Sequence, residues 1–108
     1  MPVPKDIEAE IYFLTAEEGG RSTPAYTGYR PQFYYNNQDW DASHIYPDVE
    51  VVNPGETVRA YLGFLSPKEH LDKVHVGMEF FIREGARTVG KGVVTRIIEL
   101  EHSANRAK

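Results

Sequence analysis

Apolar and polar residues alternate with a period of two along most of this chain. In "IEAEIYFLT", Ile7, Ala9, Ile11 and Phe13 fall on one side, and Glu8, Glu10 and Tyr12 on the other. "TVRAYLGFL" sets Val58, Ala60, Leu62 and Phe64 against Thr57, Arg59 and Tyr61. "MEFFIREG" groups Met78, Phe80 and Ile82, and "VVTRIIEL" groups Val93, Thr95 and Ile97 in the same manner. Alternation of this kind marks strands with one buried face. In "RPQFYY", Phe33 and Tyr35 are expected to face inward, and Gln32 and Tyr34 outward. Turn residues separate these runs: Gly19-Gly20, Thr27-Gly28, Asn53-Pro54-Gly55 and Glu84-Gly85-Ala86. Helical periodicity is weak. "SPKEHLDKVHVG" has room for one helical turn and is expected to be a long polar connection. Short strands with frequent turns predict an all-β barrel or sandwich. The ends, Met1 to Lys5 and about Ser103 to Lys108, are expected to fray.

At 108 residues the chain predicts one domain with one modest core, spanning about residues 5–100. Twelve basic against sixteen acidic side chains give a net charge of −4. That balance argues against a generic nucleic-acid or membrane binder, which would carry a basic excess. There is no cysteine, which excludes disulfides and thiolate chemistry. "MPVPKDIEAE" has no apolar segment of a secretory signal, and no apolar run is long enough to span a bilayer, so a cytoplasmic protein is expected.

One stretch comes close to a nucleotide-binding motif. In "GARTVGKG", Gly85, Gly90 and Lys91 match the spacing of a phosphate-binding loop, but Gly92 stands where a magnesium-binding Ser or Thr belongs. The motif also needs a helix after the loop, and Val93, Val94, Thr95, Arg96, Ile97 and Ile98 continue as a β-branched run. The stretch is expected to be a turn entering a strand, with no nucleotide bound and no cofactor. Gly90 and Gly92, two apart, then share one face and allow a neighbour to approach closely. "EEGGRST" and "REGARTV" echo one another weakly and are read as two hairpin turns of similar chemistry. His70 and His75, near Glu69 and Asp72, fit neither helical nor strand spacing for a metal site and are expected to be solvated. Nothing resembles a nucleophile elbow or a paired general base. The aromatic segment Tyr26 to Trp40 carries Arg30 and Gln32, and is divided between core and an exposed binding surface.

Three segments together carry a resemblance: "EIYFLTAEEGGRSTPAYTGYRPQFYY", "NPGETVRAYLGFLSP" and "FFIREGARTVGKGVVTRIIE". In this order they resemble the C-terminal third domain of translation elongation factor Tu, from about Lys5 to Glu99. The resemblance implies a six-stranded antiparallel β-barrel that binds and does not catalyse. In that family, GTP is held by a separate first domain. One face of the third domain packs on the GTPase domain, another meets the T-arm backbone of aminoacyl-tRNA, and the exchange factor also touches it. Carried over by position, Gln32, Gly85 and Arg30 are candidate RNA-binding residues. Gly19, Arg21, Phe81, Glu84 and Arg87 are candidate protein-interface residues.

The departures from the family pattern bear on function. Ser22 replaces a usual His, and Phe81 replaces a small residue, which makes the protein-facing side bulkier. Asp41 stands at about the place of a Thr that contacts tRNA. Ser66 departs near another RNA-facing position, and the loop it opens is about four residues longer than usual. A carboxylate against a phosphate backbone, together with the net charge of −4, weakens tRNA binding. The leading expectation is a stand-alone protein-binding module in or near translation, a mimic or competitor of the elongation factor that binds one of its ligands. A tRNA-binding or RNA-binding protein comes second, and a metal-dependent enzyme built on His70 and His75 third.

Overall fold

A computed structural model describes residues 4–106. Six strands close into an antiparallel barrel in the order β1-β6-β4-β3-β7-β8: β1 (Ile7–Phe13), β3 (Gln32–Tyr35), β4 (Gln38–Ile45), β6 (Thr57–Phe64), β7 (Glu79–Glu84) and β8 (Arg87–Ile97). Short strands β2 (Ala25–Tyr26) and β5 (Val51–Val52) pair as a separate ribbon. Two 3-10 turns, Ala16–Glu18 and Pro67–His70, and one helix, α1 (Leu100–Arg106), complete the described residues. No helix among the described residues is long and apolar enough to cross a membrane.

The alternation in the sequence sets which side chains fill the barrel. Ile7, Ala9, Ile11 and Phe13 of β1 and Val58, Ala60, Leu62 and Phe64 of β6 are all buried. Phe33 and Tyr35 point inward, as do Phe80 and Ile82. Phe33 stacks on Phe80 at 4.2 Å between ring centres and takes the edge of Phe64 at 5.0 Å. Two aromatic rings from neighbouring strands thus fill the middle of the barrel.

Strand β8 has the opposite phase to the one expected. Its inward positions are Gly90, Gly92 and Val94, which pair with the inward Phe13, Ile11 and Ala9 of β1. Val93 and Thr95 face outward, and beyond the register shift Ile97 pairs with the inward Ile7 yet stays 39% exposed at the strand's end. The glycines lie where Phe80 and Ile82 already occupy the interior: a Cβ on Gly92 would lie 2.6 Å from Phe80 Cζ and 2.9 Å from the Glu10 carbonyl oxygen. Close approach of a neighbour, expected at these two glycines, is therefore present. A register shift between Glu8 and Ala9 skips Thr95 in the pairing.

Three other expectations are corrected by packing. The connection after β6 is not merely polar: its 3-10 turn delivers His70 fully into the core. His70 stacks on Phe64 at 4.0 Å, meets Trp40 edge-on at 4.8 Å, and sets Nδ1 2.6 Å from the Tyr35 hydroxyl. Only His75 of that pair is exposed, and the described residues hold no cluster suited to a metal. The C-terminal segment is not frayed from Ser103. It is helical through Arg106, with Ser103 and Ala104 buried; Met1 to Val3, Ala107 and Lys108 lie outside the described residues. Buried Asp6 anchors it, accepting from the Ser103 hydroxyl and from Phe64 N–H at 2.8 Å. Finally, "EEGGRST" is no hairpin: it is a 3-10 turn closed by a capping box between Thr15 and Glu18, whereas "REGARTV" does turn a hairpin between β7 and β8.

Candidate binding surface

The two echoing segments, distant in sequence, meet at one end of the barrel. The 3-10 turn Ala16–Glu18 ends at Gly19, which takes φ +96°, and the chain then projects Arg21 across the barrel end. Arg21 forms an ion pair with Glu84, at the end of β7. The Tyr29 hydroxyl also donates to Glu84, and Arg87 approaches its other oxygen at 3.3 Å. The Arg21 guanidinium lies 4.6 Å above the Tyr29 ring and donates to the Thr23 hydroxyl at 3.0 Å and to the Pro24 carbonyl at 3.1 Å. Partial burial opposes the Glu84 charge, but Tyr29 and Arg21 outweigh it and hold this carboxyl below the usual range. Burial, with Glu84 adding, pushes the Tyr29 phenol up, so it stays a neutral donor. Arg21 and Glu84 therefore spend their polar atoms on one another and on the loop. Their role is to hold this end in shape. Arg87 remains largely exposed, as does Gly85 beside it, which turns the hairpin with φ +62°.

Phe81 lies on the outward face of β7, 47% exposed, between Tyr34 of β3 and Lys91 of β8. Arg83, two residues further along β7, sits 4.4 Å over the Tyr34 ring and 3.5 Å from Asp39. Gln32 lies between Arg83 and Asp41 in the strand register, with its Oε1 buried and unpaired. Asp41 is exposed within β4. It shares a groove of about 250 Å³ with exposed Arg30 and Leu65. The candidate RNA residues Gln32 and Arg30 are thus adjacent to one carboxylate, and Gly85 stands apart at the hairpin.

The stretch from Gly85 to Gly92 is a hairpin turn running into β8, which continues as strand from Gly92 to Ile97. A family model, elongation factor Tu C-terminal domain, matches residues 2–98. The chain belongs to this family. An elongation factor Tu C-terminal domain is a non-catalytic β-barrel, and the closed six-stranded barrel is its fold. The family connects this chain with translation. The match stops before α1, which packs against the Pro67–His70 turn at the barrel end away from Arg21 and Glu84.

Sequence reasoning missed Tyr29 as the hub joining Arg21 to Glu84. The repeated Glu-Gly-x-Arg chemistry was the only local trace of it, since Arg21 and Glu84 are 63 positions apart. It also missed the platform of Arg83 on Tyr34. Alternation along β3 and β7 places each residue on the outer face but does not say which strands adjoin.

Proposed function

We propose that this elongation factor Tu C-terminal domain is a cytoplasmic, non-catalytic protein-binding module in or near translation. It binds a protein ligand of the elongation factor and competes with the factor for it. The observation that carries this reading is Phe81, a large apolar side chain 47% exposed on a rigid barrel strand, beside the preformed Arg21–Glu84–Arg87 cluster. Exposed aromatic anchors on rigid frames are the usual centres of protein interfaces. Gly19, Arg21 and Glu84 support that face from within, and Phe81 and Arg87 are offered to the partner.

The test is capture from lysate by the purified chain, with competition by full-length elongation factor Tu. A stoichiometric translation protein that the factor displaces is the expected result. Salt-sensitive recovery of tRNA with no protein would replace this reading with RNA binding.

Asp41 sets the expectation for RNA. Two like charges about 6 Å apart repel by roughly 0.7 kcal/mol in water, and by more at the lower dielectric of an interface. Wild-type tRNA binding is expected to be weak, and Asp41→Thr should strengthen it at least about threefold at low salt, less as salt screens the charge. Filter binding at two salt concentrations decides this. Equal curves for both proteins at low salt would remove the surface around Gln32 and Arg30 from any RNA contact.

A further inference from the structure

The outward faces of β7, β8 and β1 form a groove of about 470 Å³ in which Phe81 is the one lining residue that is also a candidate interface position. Two cross-strand rows make its walls. One row runs Phe81, Lys91, Tyr12, Thr57; the next runs Glu79, Val93, Glu10. Rows two residues apart on a strand are separated by about 6.8 Å, the width of an extended side chain lying across the sheet. One wall is therefore aromatic, from Phe81 and Tyr12, and the other carries carboxylates at Glu79 and Glu10 with apolar Val93 between them.

The charges of the groove are unevenly satisfied. Elsewhere on the outer surface, Glu8 pairs with Arg59 and Arg96, Asp48 with Arg59, Asp39 with Arg83 and Glu84 with Arg21 and Arg87. Among the described residues, Glu10 and Glu79 have no ion pair, which on the barrel strands they share only with Asp41. Arg59 is the strand neighbour of Glu10, yet its guanidinium is turned to Asp48, Glu8 and the Tyr61 hydroxyl. Among the described residues Lys91 is the one cation lining the groove, and its ammonium sits 6.0 Å from the Tyr12 ring centre, in the aromatic row. Tyr12 in turn donates to Glu18 at 2.7 Å, so this wall is held in place.

We infer that this groove docks a basic and apolar segment of a partner protein, one that seats a bulky side chain against Phe81 and Val93 and sets Arg or Lys against Glu10 and Glu79. The inference rests on the protein-binding reading above and names the face and the chemistry of the partner. Charge complementarity selects this occupant. A second copy of the chain would bring carboxylates against carboxylates, and a phosphate backbone would be repelled by both glutamates. An aromatic face beside a carboxylate is also the arrangement that holds a guanidinium from two sides, by charge and by stacking.

The experiment is selection of a phage-displayed random peptide library on the intact chain, followed by anisotropy titration of the enriched peptide. Enriched peptides should carry Arg or Lys within a few residues of a large apolar side chain. Phe81→Ala should weaken the peptide about tenfold or more, as loss of an interface anchor does. The double variant Glu10→Gln/Glu79→Gln should weaken it to a similar extent at low salt and flatten its salt dependence. Tyr26→Ala, an exposed aromatic on the separate β2–β5 ribbon, should leave it unchanged. Failure to enrich a binder, enrichment of acidic peptides, or a peptide indifferent to both groove variants would overturn the inference. A peptide that maps instead to Arg87 would do the same while leaving the protein-binding reading intact. That broader reading falls separately, on the lysate capture and the competition with elongation factor Tu.

Discussion

Gly20→Ala should lose most of the stability of this fold, whereas Gly19→Ala next to it should lose little. A Cβ on Gly20 would lie 2.2 Å from the Leu14 carbonyl oxygen and 2.6 Å from its carbon. Those are backbone atoms, so no side-chain rotation relieves the clash. Gly20 N–H also donates to the Thr15 carbonyl at 2.8 Å, which keeps the two segments at that separation. Overpacking costs about 1–3 kcal/mol even where side chains can move, and here the backbone itself must shift. A loss of at least ~3 kcal/mol is expected, or a fall in melting temperature of more than about 10 °C. Gly19 has φ +96° but open space around its Cβ position, so alanine there meets only conformational strain, about 1–2 kcal/mol. Urea denaturation of both variants separates the two causes. Equal losses would mean that the close approach at Gly20 is wrong. The comparison also bears on binding, because the same loop carries Arg21 to Glu84.

Mild acid should destabilise the barrel through two histidines. His44 and His70 are both fully buried. Among the described residues, the one hydrogen-bond partner of the His44 ring is the Tyr46 hydroxyl, at 2.9 Å, and that of the His70 ring is the Tyr35 hydroxyl; the Nε2 of each ring is buried and unpaired. Burial lowers the His44 pKa to about 3 and, with the nearby Lys73 adding to it, lowers that of His70 to about 4. An unfolded histidine has a pKa of about 6.5. Between these values the unfolded chain binds protons that the folded chain refuses. The stabilisation is therefore complete above about pH 6.5 and declines as the pH falls toward the folded values. From pH 6.5 to 5 each histidine should cost about 1.6 kcal/mol, or ~3 kcal/mol together. The carboxyl groups held low by their partners, Glu8, Glu18, Asp48 and Glu84, begin to withdraw their contribution only at lower pH. The window from pH 6.5 to 5 thus isolates the histidines. Urea midpoints across that window should fall steeply, and the NMR signals of both rings should stay those of neutral imidazole at pH 5. Flat midpoints, or rings that protonate in the folded state near pH 6, would contradict it.

The chain's own alternation was enough to determine β1, β3, β6 and β7 with their inward faces, but not β4 or the short strands β2 and β5. A strand carries that information locally, since each side chain is opposite in direction to the next. The turn at Gly85 was legible from its glycine, the strand after Gly92 from its β-branched run, and Phe81 as a bulky surface residue from the family resemblance. The phase of β8 was not, because its inward face is made of glycines whose place is set by Phe80 on β7 and by the Glu10 carbonyl on β1. Nor was the burial of His70, which depends on Phe64, Trp40 and Tyr35 closing around it. The C-terminal helix looked like a polar tail until Asp6, 97 positions away from Ser103, gave it an anchor. At the binding surface, sequence motifs named Arg21, Glu84, Phe81 and Arg87, but only barrel closure brought Arg21 to Glu84 and set Glu10 across Val93 from Glu79. Periodicity reports which way a residue points. Which residues it then meets depends on strand order and register, and those are decided by the packing of distant segments into one closed core.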